Sequence, residues 1–320
     1  MLINGQWAKD FHPVHATDEE GGFVREDAGF RHWITPDGEP PGPSGNGGFA
    51  AEAGRYHLYV ALICPWASRT LMVRKLKGLD DLVPVTVLDP RLTEKVWRFG
   101  GREDSLPDTQ ADPLYGAEYL YQLYQRARPD YTGQVTVPVL WDKQRETIVN
   151  NESADIIRMF NSGFGALADN RIDLYPKHLG AQIDTVNARL YDRFNNGVYR
   201  AGFATTQAAH RRAVNDVFTS LEFIDQRLQG QDFLVGDQLT EADIRAFVTL
   251  VRFELAYYDL FRTNLRHLQD YPRIGNYVQR IYDLPGIAET VNPAHIMSGY
   301  YSIRALNPSG TVPDGPAVPW

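Results

Sequence analysis

The chain has 320 residues, a single cysteine, 43% hydrophobic residues and a formal net charge of -8, which predicts two ordinary globular domains whose cores need neither disulfides nor a structural metal. The acidic charge and the scattered Lys and Arg residues exclude a general nucleic-acid binder. The sequence contains no run of about 18 apolar residues, so no membrane-spanning helix is predicted. The first residues have neither the basic region nor the long apolar core of a secretory signal, so together with the lone cysteine they predict a cytoplasmic protein.

Residues 1–54 are predicted to form an irregular N-terminal extension. They are rich in Gly, Pro and charge, most of all at 36–48, a composition typical of loops. The aromatic residues of the extension include Trp7, Phe23, Phe30 and Trp33. Free linkers are poor in aromatic residues, so part of the extension is predicted to pack on the domain that follows.

Strand and helix signals alternate over residues 55–165. An apolar run at 56–63 predicts a strand, and a helix is predicted from Pro65 to Gly78 because proline favours the first helical position and glycine commonly follows the last. Further strands are predicted at 83–88, 135–141 and 147–149, and further helices at 114–126 and 152–160. The order β-α-β-α-β-β-α predicts a thioredoxin-like α/β domain.

Cys64 stands at the junction between the first strand and the first helix of this domain. Backbone N–H groups at a helix N-terminus favour an anion, so the position predicts a thiol with a lowered pKa and nucleophilic character. The alternative is a buried cysteine that only fills space. Because the chain has no second cysteine, a covalent intermediate would have to be resolved by an external thiol.

Pro138 falls in a predicted strand, where a trans proline is unfavourable at a central position. We therefore predict a cis Val137–Pro138 bond, which would turn the Val137 backbone outward to pair with a ligand.

Residues 172–292 carry apolar residues at helical spacing and are predicted to form an all-α domain. Within it, Thr240 and Asp243 form a predicted capping box, with a structural role only. Residues 293–320 are again rich in Pro and Gly, so they are predicted to form an irregular C-terminal tail.

A thioredoxin-like domain followed by an all-α domain resembles the glutathione transferase superfamily. Local motifs are similar to those of one group within it, the glutathionyl-hydroquinone reductases or Xi class. They include Cys-Pro-Trp-Ala-Ser-Arg at 64–69, and the other segments lie at 135–142, 151–158, 195–203, 307–308 and 312–316. The resemblance covers both domains and both irregular ends.

The resemblance implies specific site residues. It places the nucleophile at Cys64 and the aromatic substrate at Tyr199, Tyr300 and Tyr301, with Tyr199 and Tyr300 also catalytic. Thiol-binding positions fall on Trp97, Gln134, Val137, Glu152 and Ser153. The sequence departs from the family pattern at Gln134, where we expect Arg, and at Met297, Gly299 and Ile303, where the family tends to carry Lys and His.

The implied activity is removal of glutathione from aromatic hydroquinone conjugates through a mixed disulfide on Cys64. Glutathione or another low-molecular-weight thiol is the implied co-substrate, with no tightly bound cofactor, and the implied assembly is a homodimer. The alternatives are an omega-type thioltransferase or dehydroascorbate reductase, and a non-catalytic carrier of aromatic ligands. The tyrosines alone would more commonly indicate core or interface packing.

Other chemistries are not predicted. His12 and His15 have the spacing of one helix face but lie in a proline-containing segment without a cysteine partner, so no metal site is predicted. The sequence has neither the nucleophile elbow of a serine hydrolase nor a phosphate-binding P-loop.

Overall fold

A computed structural model describes residues 1–8, 17–39 and 47–316. His12, His15, part of the stretch 36–48 and the last four residues of the tail lie outside the described residues. Within the described part of the chain, no helix is both long and apolar enough to cross a membrane.

The described residues divide into two compact units. The first unit takes its residues from Met1–Pro13 and Glu26–Asp173, and the second from Val14–Arg25 and Leu174–Trp320. The predicted extension 1–54 is therefore divided between the two units.

The first unit is built around a mixed sheet. In the described residues its strands are β5 (Tyr56–Val60), β6 (Val85–Val87), β7 (Val139–Asp142) and β8 (Thr147–Asn150), in the spatial order β6-β5-β7-β8. Strand β5 pairs parallel with β6 and antiparallel with β7, which pairs antiparallel with β8. The helices of this unit are α1 (Pro65–Leu76), α2 (Tyr121–Ala127) and α3 (Ser153–Arg158). This is the predicted thioredoxin-like arrangement.

Strand β5 is shorter than predicted. All its residues are buried, but after Val60 the chain turns, and the Cys64 N–H donates to the Ala61 carbonyl at 2.9 Å. At the other end, the Arg55 guanidinium binds Asp142 across the β5–β7 pair, with Nη2 to Oδ2 at 2.5 Å and both side chains buried. Removing one partner of such a pair is costly, because the other charge would stay buried without compensation.

Helix α1 begins and ends where the sequence indicates. Cys64 is its N-cap residue and Pro65 occupies the first helical position. Arg74 and Lys75 lie in the last turn, where cations favour the helix dipole. Gly78 follows with φ of 61°, a conformation that glycine adopts without strain.

The helix predicted at 114–126 is wrong over its first half, because α2 begins only at Tyr121. The buried Asp112 carboxylate accepts the backbone N–H groups of Leu114, Tyr115 and Ala117, at 3.2, 3.1 and 3.0 Å. These bonds hold 112–117 as a loop. The strand predicted at 135–141 likewise begins only at Val139, after a Val137–Pro138 bond that is cis as predicted.

The first unit also contains short pieces of the N-terminal extension. Strand β1 (Leu2–Ile3) pairs with β2 (Gln6–Trp7), and β3 (Ile34–Thr35) pairs with β4 (Phe49–Ala50). Phe30 and Trp33 are buried, whereas Trp7 and Phe23 are half-buried. The prediction that part of the extension packs on folded structure is confirmed.

The second unit is helical. Its described α-helices are α4 (Gly180–Leu190), α5 (Gly197–Gly202), α6 (Gln207–Arg227), α7 (Glu241–Leu250), α8 (Ile274–Tyr282) and α9 (Pro293–Tyr301). Single π-helical turns follow α4 and α7, at Tyr191–Asn195 and Phe253–Tyr257, and a similar turn at Met159–Gly163 follows α3 in the first unit.

Helix α9 corrects the prediction of an irregular tail from residue 293. The Asn292 side chain accepts the His295 N–H at 3.0 Å, and Pro293 occupies the first helical position. Ile296 and Tyr300 are buried on one face. Asn followed by Pro is a helix-start signal, and the Pro- and Gly-rich composition further along the tail obscured it.

The predicted capping box is present at the start of α7. The Asp243 carboxylate accepts the Thr240 N–H and its hydroxyl, both at 2.9 Å. It also accepts the Leu234 N–H at 2.8 Å and the Tyr277 hydroxyl at 2.9 Å. Burial raises the pKa of Asp243, although these donors oppose the shift.

Thr240→Ala is expected to lower the free energy of unfolding by about 1 kcal/mol or more, because it removes a buried donor to Asp243. Urea denaturation followed by circular dichroism measures the change. Thr185→Ala is the matched control, since this exposed hydroxyl bonds only the Ala181 carbonyl of its own helix. An equal loss in both variants would contradict the capping role.

Candidate active site

Cys64 and Val137, two of the predicted site residues, lie in contact. The Cys64 thiol donates to the Val137 carbonyl, with Sγ and O 3.6 Å apart. Cys64 is largely buried, with only 9% of the residue exposed. The cysteine therefore faces the backbone position that is predicted to bind a thiol ligand.

Two effects act on this sulfur in opposite directions. The first turn of α1 contains no acidic residue, and its N–H groups favour an anion at the N-cap. The Val137 carbonyl instead favours the protonated thiol, because a thiolate has no proton to donate. The Val137 carbonyl and the start of α1 therefore favour opposite protonation states of Cys64.

Helix α1 also contacts the start of α3. Arg69 is buried, its guanidinium lies 4.4 Å from the centre of the Trp66 ring, and Nη1 donates to the Ser153 hydroxyl at 3.4 Å. Ser153, a predicted thiol-binding residue, is thereby placed beside the helix that begins at Cys64. The sequence reasoning did not select Arg69, although it lies in the motif 64–69.

Glu152 caps its own helix. Its Oε1 accepts the Ala154 N–H at 2.9 Å and the Ser153 hydroxyl at 3.3 Å. The Glu152 N–H donates to the Asn150 side chain at 2.7 Å. The Glu152 carboxylate and the Ser153 hydroxyl are thus adjacent at the N-terminus of α3. A carboxylate is suited to bind an ammonium group, and a hydroxyl beside helix N–H groups is suited to bind a carboxylate.

Trp97 lies half-buried in the loop after β6. The loop is held by Asp89, whose buried carboxylate accepts from the Arg91 side chain at 2.6 and 2.9 Å and from its N–H at 3.0 Å. The Asp89 N–H donates to the Arg98 carbonyl at 3.0 Å. Burial alone would raise the pKa of Asp89, but the Arg91 hydrogen bonds outweigh it and hold this pKa below its ordinary value.

Gln134 is half-buried shortly before Val137. Its backbone carbonyl accepts a hydrogen bond from the Tyr131 hydroxyl at 3.2 Å. The first unit therefore contains Cys64 and all five predicted thiol-binding residues, and direct contacts join Cys64 to Val137 and Glu152 to Ser153.

The predicted tyrosines belong to the second unit, where Tyr199 and Tyr300 come together. Their hydroxyl oxygens are 2.6 Å apart, and the Tyr257 hydroxyl lies 2.8 Å from that of Tyr300. Burial, followed by the neighbouring Tyr199 and Tyr257, raises the pKa of Tyr300 well above its ordinary value. Tyr300 is therefore held as a neutral hydroxyl at the centre of a chain of three tyrosine hydroxyl groups.

Tyr301 does not share this cluster, because successive residues project about 100° apart around a helix. Its half-buried ring lines a groove with Asp259, Leu260 and Leu306. Burial, then the nearby Asp259, raises its pKa. Of the departing positions, Gly299 and Ile303 are buried and Met297 is half-buried.

Sequence reasoning missed Tyr257 and its neighbour Phe261. The Phe261 ring lies edge-on to those of Tyr199 and Tyr300, with centroids 5.6 and 5.4 Å away. The spacing of four between Phe253, Tyr257 and Phe261 was an available signal for one aromatic helix face.

The described residues contain no group of three His, Cys, Asp or Glu side chains that would hold a metal ion.

Both units are similar to known proteins. Residues 63–162 match the family model "Glutathione S-transferase, N-terminal domain", and residues 207–280 match "Glutathione S-transferase, C-terminal domain". Glutathionyl-hydroquinone reductase YqjG of Escherichia coli is 50% identical, with 99% of this chain and 95% of the relative covered. Glutathionyl-hydroquinone reductase PcpF of Sphingobium chlorophenolicum is 42% identical, with 100% and 97% covered.

A solved structure is similarly close. The glutathione-bound structure of YqjG from Escherichia coli K-12, described as a glutathione transferase homolog, superposes with a TM-score of 0.89 at 48% identity. The match covers 99% of this chain and 95% of that chain.

Asp89→Asn is expected to loosen the Trp97 loop, because the neutral amide cannot replace the charge-assisted bonds to Arg91. Backbone amide exchange over 89–99 should quicken about tenfold, as measured by hydrogen–deuterium exchange. Since the pKa of Asp89 is lowered on folding, the stabilisation should hold at neutral pH and be lost as pH falls below about 4.

The control is Asp104→Asn, at an exposed carboxylate paired with Arg98 at 2.8 Å. It should leave the exchange almost unchanged, because exposed ion pairs contribute little. Equal acceleration in the two variants would argue against Asp89 as the anchor.

Proposed function

Because the chain belongs to the glutathionyl-hydroquinone reductases of the glutathione S-transferase family, we propose that it is a thiol-dependent reductase that removes glutathione from glutathionyl-hydroquinones. The observation that carries this proposal is similarity over almost the full length to two curated reductases, at 50% and 42% identity. We assign thiol binding to residues 55–165 and the aromatic ring to the helical residues 172–292 together with α9, which lies in the C-terminal segment 293–320; residues 1–54 are an N-terminal extension.

In this proposal Cys64 is the nucleophile. Its thiolate attacks the sulfur of the conjugate, the carbon–sulfur bond breaks, and a Cys64–glutathione disulfide forms. The electron pair of the broken bond passes to the ring, held as its keto tautomer, and gives an enolate that is protonated to hydroquinone. The N-terminus of α1 supports the attacking anion.

A second thiol completes the cycle. Its thiolate attacks the glutathione sulfur of the mixed disulfide, which releases oxidised glutathione and restores Cys64. The net reaction converts one conjugate and one glutathione into one hydroquinone and one glutathione disulfide, so atoms and electrons balance. No tightly bound cofactor is required.

The thiol ligand is assigned to five residues of the first unit. Glu152 accepts hydrogen bonds from the γ-glutamyl ammonium, and the Ser153 hydroxyl with the N–H groups at the start of α3 donates to the γ-glutamyl carboxylate. The Val137 backbone pairs with the cysteinyl peptide group, as a short strand addition does. Trp97 and Gln134 complete the site. The glutathione-bound structure of a 48% identical protein supports glutathione as this ligand.

The enolate oxygen is assigned to the tyrosine cluster. Tyr257 and Tyr300 are buried, whereas Tyr199 is half-buried and so is the outermost donor. If Tyr257 donates to Tyr300 and Tyr300 to Tyr199, the Tyr199 proton points to the substrate and each bond strengthens the next. Donors aimed at developing charge lower the barrier. The assignment of Tyr301 to the ring stays a prediction.

We also propose a cytoplasmic homodimer. The cytoplasm supplies the reduced thiol that the second step consumes. The proposal of a homodimer is based only on membership of the family.

Cys64→Ser is expected to reduce turnover of glutathionyl-menadiol to the uncatalysed rate, because a serine hydroxyl is a far weaker nucleophile toward sulfur than a thiolate. The rate of menadiol release and mass spectrometry of the intact protein measure this. The unmodified chain should carry one glutathione on Cys64 after a single turnover without added thiol.

Turnover by Cys64→Ser above the uncatalysed rate would refute the mechanism. The same assay tests the omega-type alternative: a chain that prefers a small mixed disulfide over glutathionyl-menadiol would be a thioltransferase instead.

Tyr199→Phe is expected to lower kcat about tenfold to a hundredfold, because it removes the donor to the enolate while keeping the ring. Tyr257→Phe should lower kcat about threefold, because it weakens the chain through Tyr300. KM should change little in both variants. Steady-state kinetics with glutathionyl-menadiol measure these effects.

Tyr277→Phe is the matched control, since it removes another buried hydroxyl, one that donates to Asp243 at 2.9 Å. It should reduce stability by about 1 kcal/mol and leave kcat unchanged. If it lowers kcat as much as Tyr199→Phe, the kinetic losses reflect stability and the tyrosine assignment fails.

A further inference from the structure

A segment of the N-terminal extension, residues 30–32, runs beside the outer strand of the sheet. The His32 N–H donates to the Val149 carbonyl at 3.0 Å, and the Asn151 N–H donates to the Phe30 carbonyl at 3.2 Å. Arg31 faces Asn150 in an antiparallel bridge. The segment therefore covers the edge of β8, immediately before Glu152 and Ser153.

The Arg31 side chain continues this contact into α3. Its guanidinium binds the Asp155 carboxylate through two nitrogens, Nε and Nη2, the latter at 2.9 Å. Asp155 in turn accepts the Asn150 amide at 3.1 Å, and the oxygen of that amide accepts the Glu152 N–H at 2.7 Å. A continuous hydrogen-bond chain thus runs from Arg31 to the backbone of Glu152.

A second hydrogen-bond chain joins the same segment to Thr136, the residue before Val137. The Asn151 oxygen accepts the Phe30 N–H at 3.0 Å. Its amide donates to Thr136 Oγ1 at 3.2 Å and to the Tyr124 hydroxyl at 3.0 Å. The Phe30 ring lies edge-on to Tyr124 with centroids 5.8 Å apart.

We infer that Arg31 is a positioning residue of the thiol site, through which the N-terminal extension sets the affinity for the γ-glutamyl end of glutathione. The inference rests on the proposed function, which assigns that end to Glu152 and Ser153. Arg31 acts through Asp155 and Asn150 and need not touch the ligand.

The physical reason is the orientation and charge of Asp155. This residue is the third of α3, from which a carboxylate commonly folds back to the N-cap backbone. Arg31 holds it instead and balances its charge. The Asn150 amide is thereby left to bind the Glu152 N–H. Without Arg31, an unbalanced carboxylate would lie near the point where the ligand's carboxylate must bind. The Asn150 amide also donates to the His32 carbonyl at 3.0 Å, so the main effect expected is that of the unbalanced charge.

The test measures glutathione binding by isothermal titration calorimetry in a Cys64→Ser background, where turnover cannot occur. Arg31→Ala is expected to raise the dissociation constant about fivefold or more, the effect of a lost charge-assisted contact. Arg31→Lys should recover part of the loss, since an ammonium keeps the charge but not the two-point geometry.

Arg126→Ala is the matched control. Arg126 is 43% exposed and forms a 2.9 Å ion pair with Glu146, whereas the Arg31 side chain is 41% exposed. Both variants remove one arginine and one ion pair from the first unit, but Arg126→Ala should leave the dissociation constant unchanged.

A double-mutant cycle with Asp155→Asn completes the test, because Arg31→Ala should lose most of its effect when its partner is neutral. The inference is overturned if Arg31→Ala binds glutathione within twofold of the parent, if Arg126→Ala weakens binding equally, if the full Arg31 effect persists beside Asp155→Asn, or if the Cys64→Ser parent binds no glutathione. Because binding is read without turnover, failure of the Cys64 chemistry leaves this result interpretable.

Discussion

The antiparallel pairing of β5 with β7 is the constraint on which the thiol half of the molecule depends. Tyr59 lies opposite Val139, so the chain that leaves β5 toward Cys64 runs beside the chain that enters β7 from Val137. A slip of one residue would invert every side chain of a strand that is buried throughout. The Arg55–Asp142 pair at the far end of the ladder opposes such a slip, since it would separate two buried charges.

Cys64, Glu152 and Ser153, three of the site residues proposed in the first unit, lie at helix ends, and each of these ends also has a structural task. Cys64 is the N-cap residue of α1 while it donates to a carbonyl, and Glu152 caps α3 while it is assigned a ligand. A residue that caps a helix is already oriented, so little conformational entropy is left to lose on binding. The tyrosine cluster follows the same logic, because each hydroxyl fixes the rotation of the next.

Much of the fold could be predicted from the sequence because its signals are local. Proline after Cys64, glycine at 78 and the Thr240–Asp243 spacing each specify a helix end, and the Pro138 prediction needed only a strand pattern around it. The missing parts depend on contacts distant in sequence. Asp112 unwinds the start of a predicted helix, and Arg31 meets Asp155 across 124 positions. Tyr257 contacts Tyr300 across 43 positions. The adjacent Tyr301 lies outside this cluster, and a sequence motif alone does not distinguish the two neighbouring tyrosines.

The hydrogen bond from Cys64 to Val137 has a protective consequence. Small oxidants attack thiolates far faster than thiols and reach exposed sulfur most readily. A sulfenic acid is ordinarily rescued by a neighbouring cysteine, and the chain has none to offer. A sulfur that is enclosed and kept as a donor to a backbone oxygen presents little reactive surface at rest. The geometry that keeps Cys64 as a hydrogen-bond donor therefore also limits its exposure to oxidants.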